Sequence, residues 1–410
     1  MLLNFFFSRR ASRLLTTGRW KSDKAQVPAT VKSDKLQKVS KKRSEKELEC
    51  VKECALLPKT AKAPAHAPLR SVNVAVMNSY LPTNHSLVAM LKLNGLIKEI
   101  RMYDENQLLH GTGLDVRQID TSPQVATCVG QHQLKRALHK ADIVVISAPG
   151  EPNDIPNSQE VFCKNVAHVK AMADACIAHC PDAVFIINAY PVDATVPLFA
   201  EILLKQGVFC PNRVLGSMAL KEMRARTLAS AALGMNPATV QVNVIGGGTP
   251  QTAVPVISGT KPGGKYLKRD FNILYKRFTM MTREVLATKK VPPTLSAGYA
   301  LSKLVCNVAK GLCGKKHHPT SVFLRTSALF GVKYLSVPVY FGLAGVEQNL
   351  GLPALSFAEL ETLDVSLAEL QMNIALGEAA AKPKLTRVNP YEHNTDEDSP
   401  CIILSSCANL

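Results

Sequence analysis

The sequence predicts an α/β chain: a doubly wound parallel sheet followed by an α+β part. Three observations carry that expectation. Between residues 71 and 210, short β-rich apolar runs alternate with longer stretches of helical spacing. Runs such as "ADIVVISAPG" are continuously apolar, as strands covered by helices on both faces must be. Beyond residue 210 the alternation stops, and turn-bounded runs of antiparallel character take over.

In chain order, "SVNVAVM" (71–77) predicts a strand and "HSLVAMLKLNGLI" (85–97) a helix. "KEIRMYD" (98–104) is a second strand ending in Asp104, and "ADIVVISAPG" (141–150) a buried strand. "QEVFCKNVAHVKAMADACIAHC" (159–180) is a long amphipathic helix, followed by the strand "AVFIINAY" (183–190). In the later part, "VQVNVIG" and "SVPVYFGLAGVEQNLG" predict antiparallel strands; "FNILYKRFTMMTREVLATK" and "SLAELQMNIALGEAAAK" predict helices. In a sheet of this kind the ligand crevice lies at the carboxyl ends of the parallel strands.

Charge and composition narrow the function classes. The net charge is +17 over 410 residues, but residues 1–70 hold 17 Lys and Arg against 6 Asp and Glu. The other 340 residues hold 32 against 26, so a basic tail precedes a near-neutral body. That pattern argues against a nucleic-acid groove, which needs basic and aromatic residues interleaved in a folded domain. No apolar run approaches the ~18 residues of a membrane span. The opening "MLLNFFFSRRASRLLTTGRWKSD" has arginines and hydroxyls and no acid before Asp23, the composition of a mitochondrial presequence. Eleven cysteines without a regular framework predict free thiols in a reducing compartment. The i, i+4 pairs Cys50/Cys54 and Cys176/Cys180 read as partly buried helix positions, because no further metal ligands stand near them.

From about Val72 to Lys382 the chain resembles the mitochondrial-type malate dehydrogenases of the lactate/malate dehydrogenase family. The resemblance rests on "NVAVM" followed by "IRMYD", "ADIVVISA" leading into "VFCKNVAHV", and "HCPDAVFIINAYPVDATVP" before "PNRVLGSMALKEMRARTL". "NVIGGGTPQTAVPVIS", "PPTLSAGYA" and "VYFGLAGVEQNLGL" continue it in order. It implies a Rossmann-type, NAD-binding-like domain over residues 71–215 and an α+β substrate-type domain over 216–382. Residues 1–21 then form a mitochondrial presequence, 22–70 a basic disordered linker and 383–410 a disordered tail.

Position by position, the resemblance implies a degenerate active site. The family's dinucleotide turn carries three glycines, which let the backbone approach a pyrophosphate. Here that turn is "MNSYLPTNH", with Asn78, Leu81 and Asn84 in their place. Asn tolerates positive φ, so two of the turns can survive; Tyr80 and Leu81 add bulk, and Pro82 removes a donor. Asp104, matched to the residue that binds the adenosine ribose, and Asn165, matched to a helix residue near the nicotinamide, are retained. The catalytic base position is Gly248, and the carboxylate that orients the base is Lys221. The two loop arginines that clamp the substrate are Pro152 and Ser158, and the substrate-binding Asn is Tyr190. Only Arg224, matched to the arginine that forks the distal carboxylate, is kept; it reads as a weak carboxylate site or as a residual ion pair. Arg226 is an added cation, and Ala297 stands for the Met that lines the cofactor face.

A positioned acid–base group is worth ~10²–10⁴ in rate and each electrostatic stabiliser ~10²–10³. Losing base, orienter and both clamps therefore leaves little hydride-transfer chemistry. The expectation is an inactive homologue, a structural or regulatory subunit in the mitochondrial matrix, self-associating or paired with an active paralogue. The alternative is an NAD-dependent malate dehydrogenase of residual or altered activity, with Arg224 and a water or Lys221 replacing His. Two other features predict no site. "GLCGKKHHPTS" (311–321) lacks phosphate-loop spacing, which leaves His317 and His318 in an exposed loop. The terminal "CANL" only superficially fits a prenylation box.

Overall fold

The computed structural model describes residues 71–148 and 158–382. The expected presequence, the linker with Cys50 and Cys54, the segment holding Pro152 and the acidic tail lie outside them. Six parallel strands come first: β1 (Val72–Met77), β2 (Ile97–Asp104), β3 (Gln124–Val129), β4 (Ile143–Ser147), β5 (Val184–Asn188) and β6 (Val214–Ser217). Their spatial order is β3-β2-β1-β4-β5-β6, with every neighbouring pair parallel. This is the doubly wound order, with its switch point between β1 and β4. The helices between them are α1 (Pro82–Lys92), α2 (Leu109–Arg117), α3 (Gln131–Leu138), α4 (Ser158–His179) and α5 (Val192–Gln206). All five residues of β4 are buried, so its unbroken apolar run is what a strand covered on both faces requires.

The sheet does not end at β6. β9 (Thr320–Arg325) pairs antiparallel with it, followed by β10 (Tyr334–Gly342), β7 (Val244–Gly246) and β8 (Ala253–Pro255), while β11 (Gly345–Asn349) hairpins onto β10. Its helices are α6 (Ala219–Leu233), the single turn α7 (Gly264–Leu267), α8 (Phe271–Lys289), α9 (Leu295–Leu312) and α10 (Phe357–Ala380). Two close helix contacts lock the parts together. A Cβ on Gly298 of α9 would lie 2.5 Å from the Thr83 carbonyl of α1, and one on Gly377 of α10 would lie 2.1 Å from that of Ala194 in α5. Only a residue without a side chain permits either approach.

Several boundaries differ from the expectations. The first helix begins at Pro82 rather than 85, because proline at a helix's first position is stabilising rather than disruptive. The last helix begins at Phe357, nine residues before "SLAELQ". Ser356 accepts from the Glu359 amide, and Glu359 accepts from the Ser356 amide at 2.7 Å. That reciprocal cap was present in the sequence as Ser-x-x-Glu. The α2–β3–α3 segment, α5, β6, α6, β8, α7, α9 and β9 were not anticipated; α2 has two internal glycines, and β3 begins exposed, so neither shows clean periodicity. Of "VQVNVIG" only Val244–Gly246 is strand, with a lone bridge at Gln241. Cys176 and Cys180 are buried outright rather than in part, and Cys210 is disulfide-bonded, against the expectation of free thiols throughout.

Candidate functional site

A cavity of about 440 Å³ opens at the carboxyl ends of the parallel strands. Ala148 and Asn188, just beyond β4 and at the end of β5, form its floor, and α6, α8 and α9 supply wall residues. Five positions singled out in the sequence line it together: Tyr190, Lys221, Arg224, Gly248 and Ala297. Residues separated by over a hundred positions thus share one crevice, where an open α/β sheet places its ligands.

At Gly248, in the turn after β7, the wall has no functional group, and its backbone is tied down. The Gly248 amide donates to Oδ1 of Asp193, and the Thr252 hydroxyl donates to Oδ2 at 2.6 Å. Asp193 is fully buried in the first turn of α5. Burial pushes its carboxyl pKa up, against the lowering influence of those hydrogen bonds and of Lys221. A Cβ on Gly248 would meet Val192 Cβ at 3.0 Å and Asp193 Oδ1 at 3.3 Å, so packing has closed around the glycine. Glu369 of α10 stands near this clasp; burial, and then the charge of Asp193, raise its carboxyl pKa. Asp193 was missed in the sequence, although a lone acid in the apolar run "YPVDATVP" signals a buried, hydrogen-bonded carboxylate.

The cationic wall is α6. Lys221 keeps some access to solvent, but desolvation, with Arg224 beside it, lowers its pKa to about 7, against the pull of Asp193. Its ammonium lies 6.0 Å from the centroid of the Phe278 ring. Arg224 is 5% exposed and donates to the Thr282 hydroxyl at 2.5 Å; burial brings its pKa down to about 10. It forms no ion pair among the described residues, which overturns the residual ion pair as its reading. Arg226 is the paired one: it donates to Glu222 at 2.7 Å, and Glu222 also accepts the Ser321 amide at 2.9 Å. A buried guanidinium facing a cavity with no carboxylate among its described lining residues is a ready partner for an anion.

At the β1–α1 turn the outcome is different. Asn78 takes positive φ (53°), as expected of an Asn in a glycine's place. Asn84 does not: it lies inside α1, and its buried amide donates to the Met77 and Asn78 carbonyls at 3.1 and 2.8 Å. Only one of the two turns therefore survives. The amides of Ser79, Tyr80, Leu81, Asn84 and His85 all donate within the protein, that of Tyr80 to Asp104 Oδ2 at 3.0 Å. Pro82 contributes no donor. A dinucleotide pyrophosphate needs such amides pointing at it, and these five are turned inward. Asp104 sits at the end of β2, accepting also from the Asn106 amide at 3.0 Å. Asn165 is buried in α4, and its amide donates to the Tyr190 carbonyl at 2.8 Å. Ser158 is the first residue of α4; Pro152 lies outside the described residues. His317 is half-buried rather than exposed, its Nε2 accepting the Phe341 amide at 3.0 Å, so its part is structural.

Comparison with known proteins agrees with this layout. Residues 83–216 match the NAD binding domain of lactate/malate dehydrogenase, and residues 219–381 its alpha/beta C-terminal domain. The chain is 31% identical to the mitochondrial malate dehydrogenase of Homo sapiens, over 78% of this chain and 97% of that protein. It is equally identical to that of Pongo abelii, over 76% and 92%. Among solved structures, the malate dehydrogenase of Cryptosporidium parvum superposes with a TM-score of 0.66 at 19% identity, covering 75% of this chain and 99% of that one. The lactate dehydrogenase of the same organism, solved with lactic acid and nicotinamide adenine dinucleotide, gives 0.63 at 23%, covering 76% and 99%. With both of its domains matched in order and the crevice in place between them, this chain belongs to the lactate/malate dehydrogenase family.

Proposed function

We propose that this family member does not interconvert malate and oxaloacetate. It acts in the mitochondrial matrix as a structural or regulatory subunit, self-associated or paired with an active paralogue. One observation carries the reading: the position matched to the catalytic base is a glycine whose surroundings have closed on it. Lys221 replaces the orienting carboxylate in the same cavity. Oxidising a hydroxyl requires a group that accepts its proton as hydride leaves, and a glycine offers none. The inward-turned amides of the β1–α1 turn support the same reading, since they oppose ordinary NAD binding. The basic N-terminal composition and the mitochondrial relatives support the location.

The test is an assay of the full chain for oxaloacetate reduction by NADH, with capture of associated proteins from mitochondria. The account predicts no turnover and the recovery of a second copy or of an active malate dehydrogenase. Turnover above ~1 s⁻¹, within the ordinary enzyme range, favours instead an enzyme in which Lys221 replaces the base.

A further inference from the structure

We propose that Lys221 is a nucleophilic lysine whose amine forms a reversible imine with the carbonyl of a small 2-oxo acid, the acid's carboxylate resting on Arg224. The inference goes beyond the loss of hydride transfer and is independent of it, because an imine needs no nicotinamide. Lys221 and Arg224 are three residues apart on α6, so they project from one face of the helix, and both line the same cavity. Neither has a carboxylate in ion-pair contact among the described residues. The rest of that wall is largely apolar, with Val192, Leu220, Leu286 and Pro292. A 2-oxo acid fits this arrangement: its carboxylate supplies the anion that Arg224 lacks, and its carbonyl is the electrophile an amine attacks. The open cavity of about 440 Å³ has room for a tetrahedral adduct.

The step balances without any redox partner. The amine lone pair attacks the carbonyl carbon, a C–N bond forms, and the carbonyl oxygen takes up a proton. That proton comes from the attacking nitrogen, giving a carbinolamine; a second proton, from solvent, lets the oxygen leave as water while the nitrogen lone pair forms the C=N bond, leaving a protonated imine. Desolvation and the neighbouring guanidinium keep much of Lys221 neutral near pH 7, the usual way a protein prepares a lysine for this chemistry. The other titratable groups facing it are Asp193 of α5, Tyr190 after β5, and Tyr275 and Arg283 of α8. Asp193 is held by Gly248 and Thr252 and works against the neutral amine.

The experiment treats the full chain with pyruvate and sodium borohydride across pH, then maps the reduced adduct by mass spectrometry of peptides. Acetone serves as the uncharged carbonyl, and the exposed Lys276 and Lys289 serve as internal references. Expected is labelling of Lys221 by pyruvate at least about tenfold above those lysines near neutrality, rising with pH through about 7. Arg224→Gln cuts the labelling by pyruvate more than that by acetone. Lys221→Gln and Lys221→Arg each abolish the selective adduct, so a folding defect in one does not decide the result. Labelling of Lys221 no greater than that of Lys276 and Lys289 overturns the proposal. So does equal labelling by pyruvate and acetone that is indifferent to Arg224→Gln.

Discussion

On the proposed reading, the crevice around Gly248 and the turn around Leu81 depart from a dehydrogenase in opposite ways. The crevice departs by subtraction. A side chain is absent at Gly248, about 440 Å³ stays open, and Lys221 and Arg224 still face into it. The turn departs by addition. Tyr80 and Leu81 stand in it, the side-chain amide of Asn84 ties it together, and the amides of Ser79, Tyr80, Leu81, Asn84 and His85 donate within the protein. Subtraction leaves a cavity that can take another ligand, whereas addition leaves a packed surface. On the proposed reading, a small-molecule pocket is kept beside a turn whose amides oppose ordinary dinucleotide binding.

The largest expected effect tests how firmly the crevice wall is closed. Asp193→Ala leaves the Gly248 amide and the Thr252 hydroxyl without their buried acceptor, which lowers unfolding stability by about 2–4 kcal/mol, read by urea denaturation. A loss under about 0.5 kcal/mol would mean that the clasp does not hold the wall. Next, Gly248→His puts a ring where a Cβ already meets Val192 at 3.0 Å. Overpacking of this kind costs about 1–3 kcal/mol, and no oxaloacetate reduction returns, because Lys221 cannot orient an imidazole. Recovered turnover from this single change would show that the crevice differs from an active site only by its base.

A third test uses pH. Lys221 has its pKa depressed in the folded protein, from the ordinary 10.5 to about 7. Its contribution to stability is therefore present above the unfolded pKa and is lost as pH falls through about 7. The stability of the wild type relative to Lys221→Met should rise from about pH 7 towards the unfolded 10.5, measured as paired melting curves. A difference that is flat with pH contradicts a desolvated amine. The smallest effect belongs to the turn. Leu81→Gly changes stability by about 1 kcal/mol or less and brings no NADH binding in a fluorescence titration, because Pro82 and the inward amides remain. Binding gained from that one change would make the turn a site lost by subtraction too.

The fold was legible wherever a pattern repeats. β4 and α8 follow directly from apolar runs and helical spacing, since burial on one or both faces imposes those patterns. The α2–β3–α3 segment was not legible, because a glycine-bearing helix and a half-covered strand leave weak periodicity. The start of α10 is legible in Ser356 and Glu359, although the apolar run that follows is the stronger signal. In the crevice, the convergence of Tyr190, Lys221, Arg224, Gly248 and Ala297 came from the resemblance to a family, not from local pattern. The Asp193 clasp and the absence of an ion pair at Arg224 among the described residues depend on contacts across the fold, and no local spacing encodes them.

The central claim is that the crevice no longer supports hydride transfer. It is tested most directly by incubating concentrated full-length protein with oxaloacetate and NADH deuterated at the transferring position, then measuring deuterium in malate. Arg224→Gln protein, purified in parallel, controls for contaminating dehydrogenase. The account predicts malate deuterium at the level of that control. Deuterated malate in stoichiometric amount or above, abolished by Arg224→Gln, would contradict it.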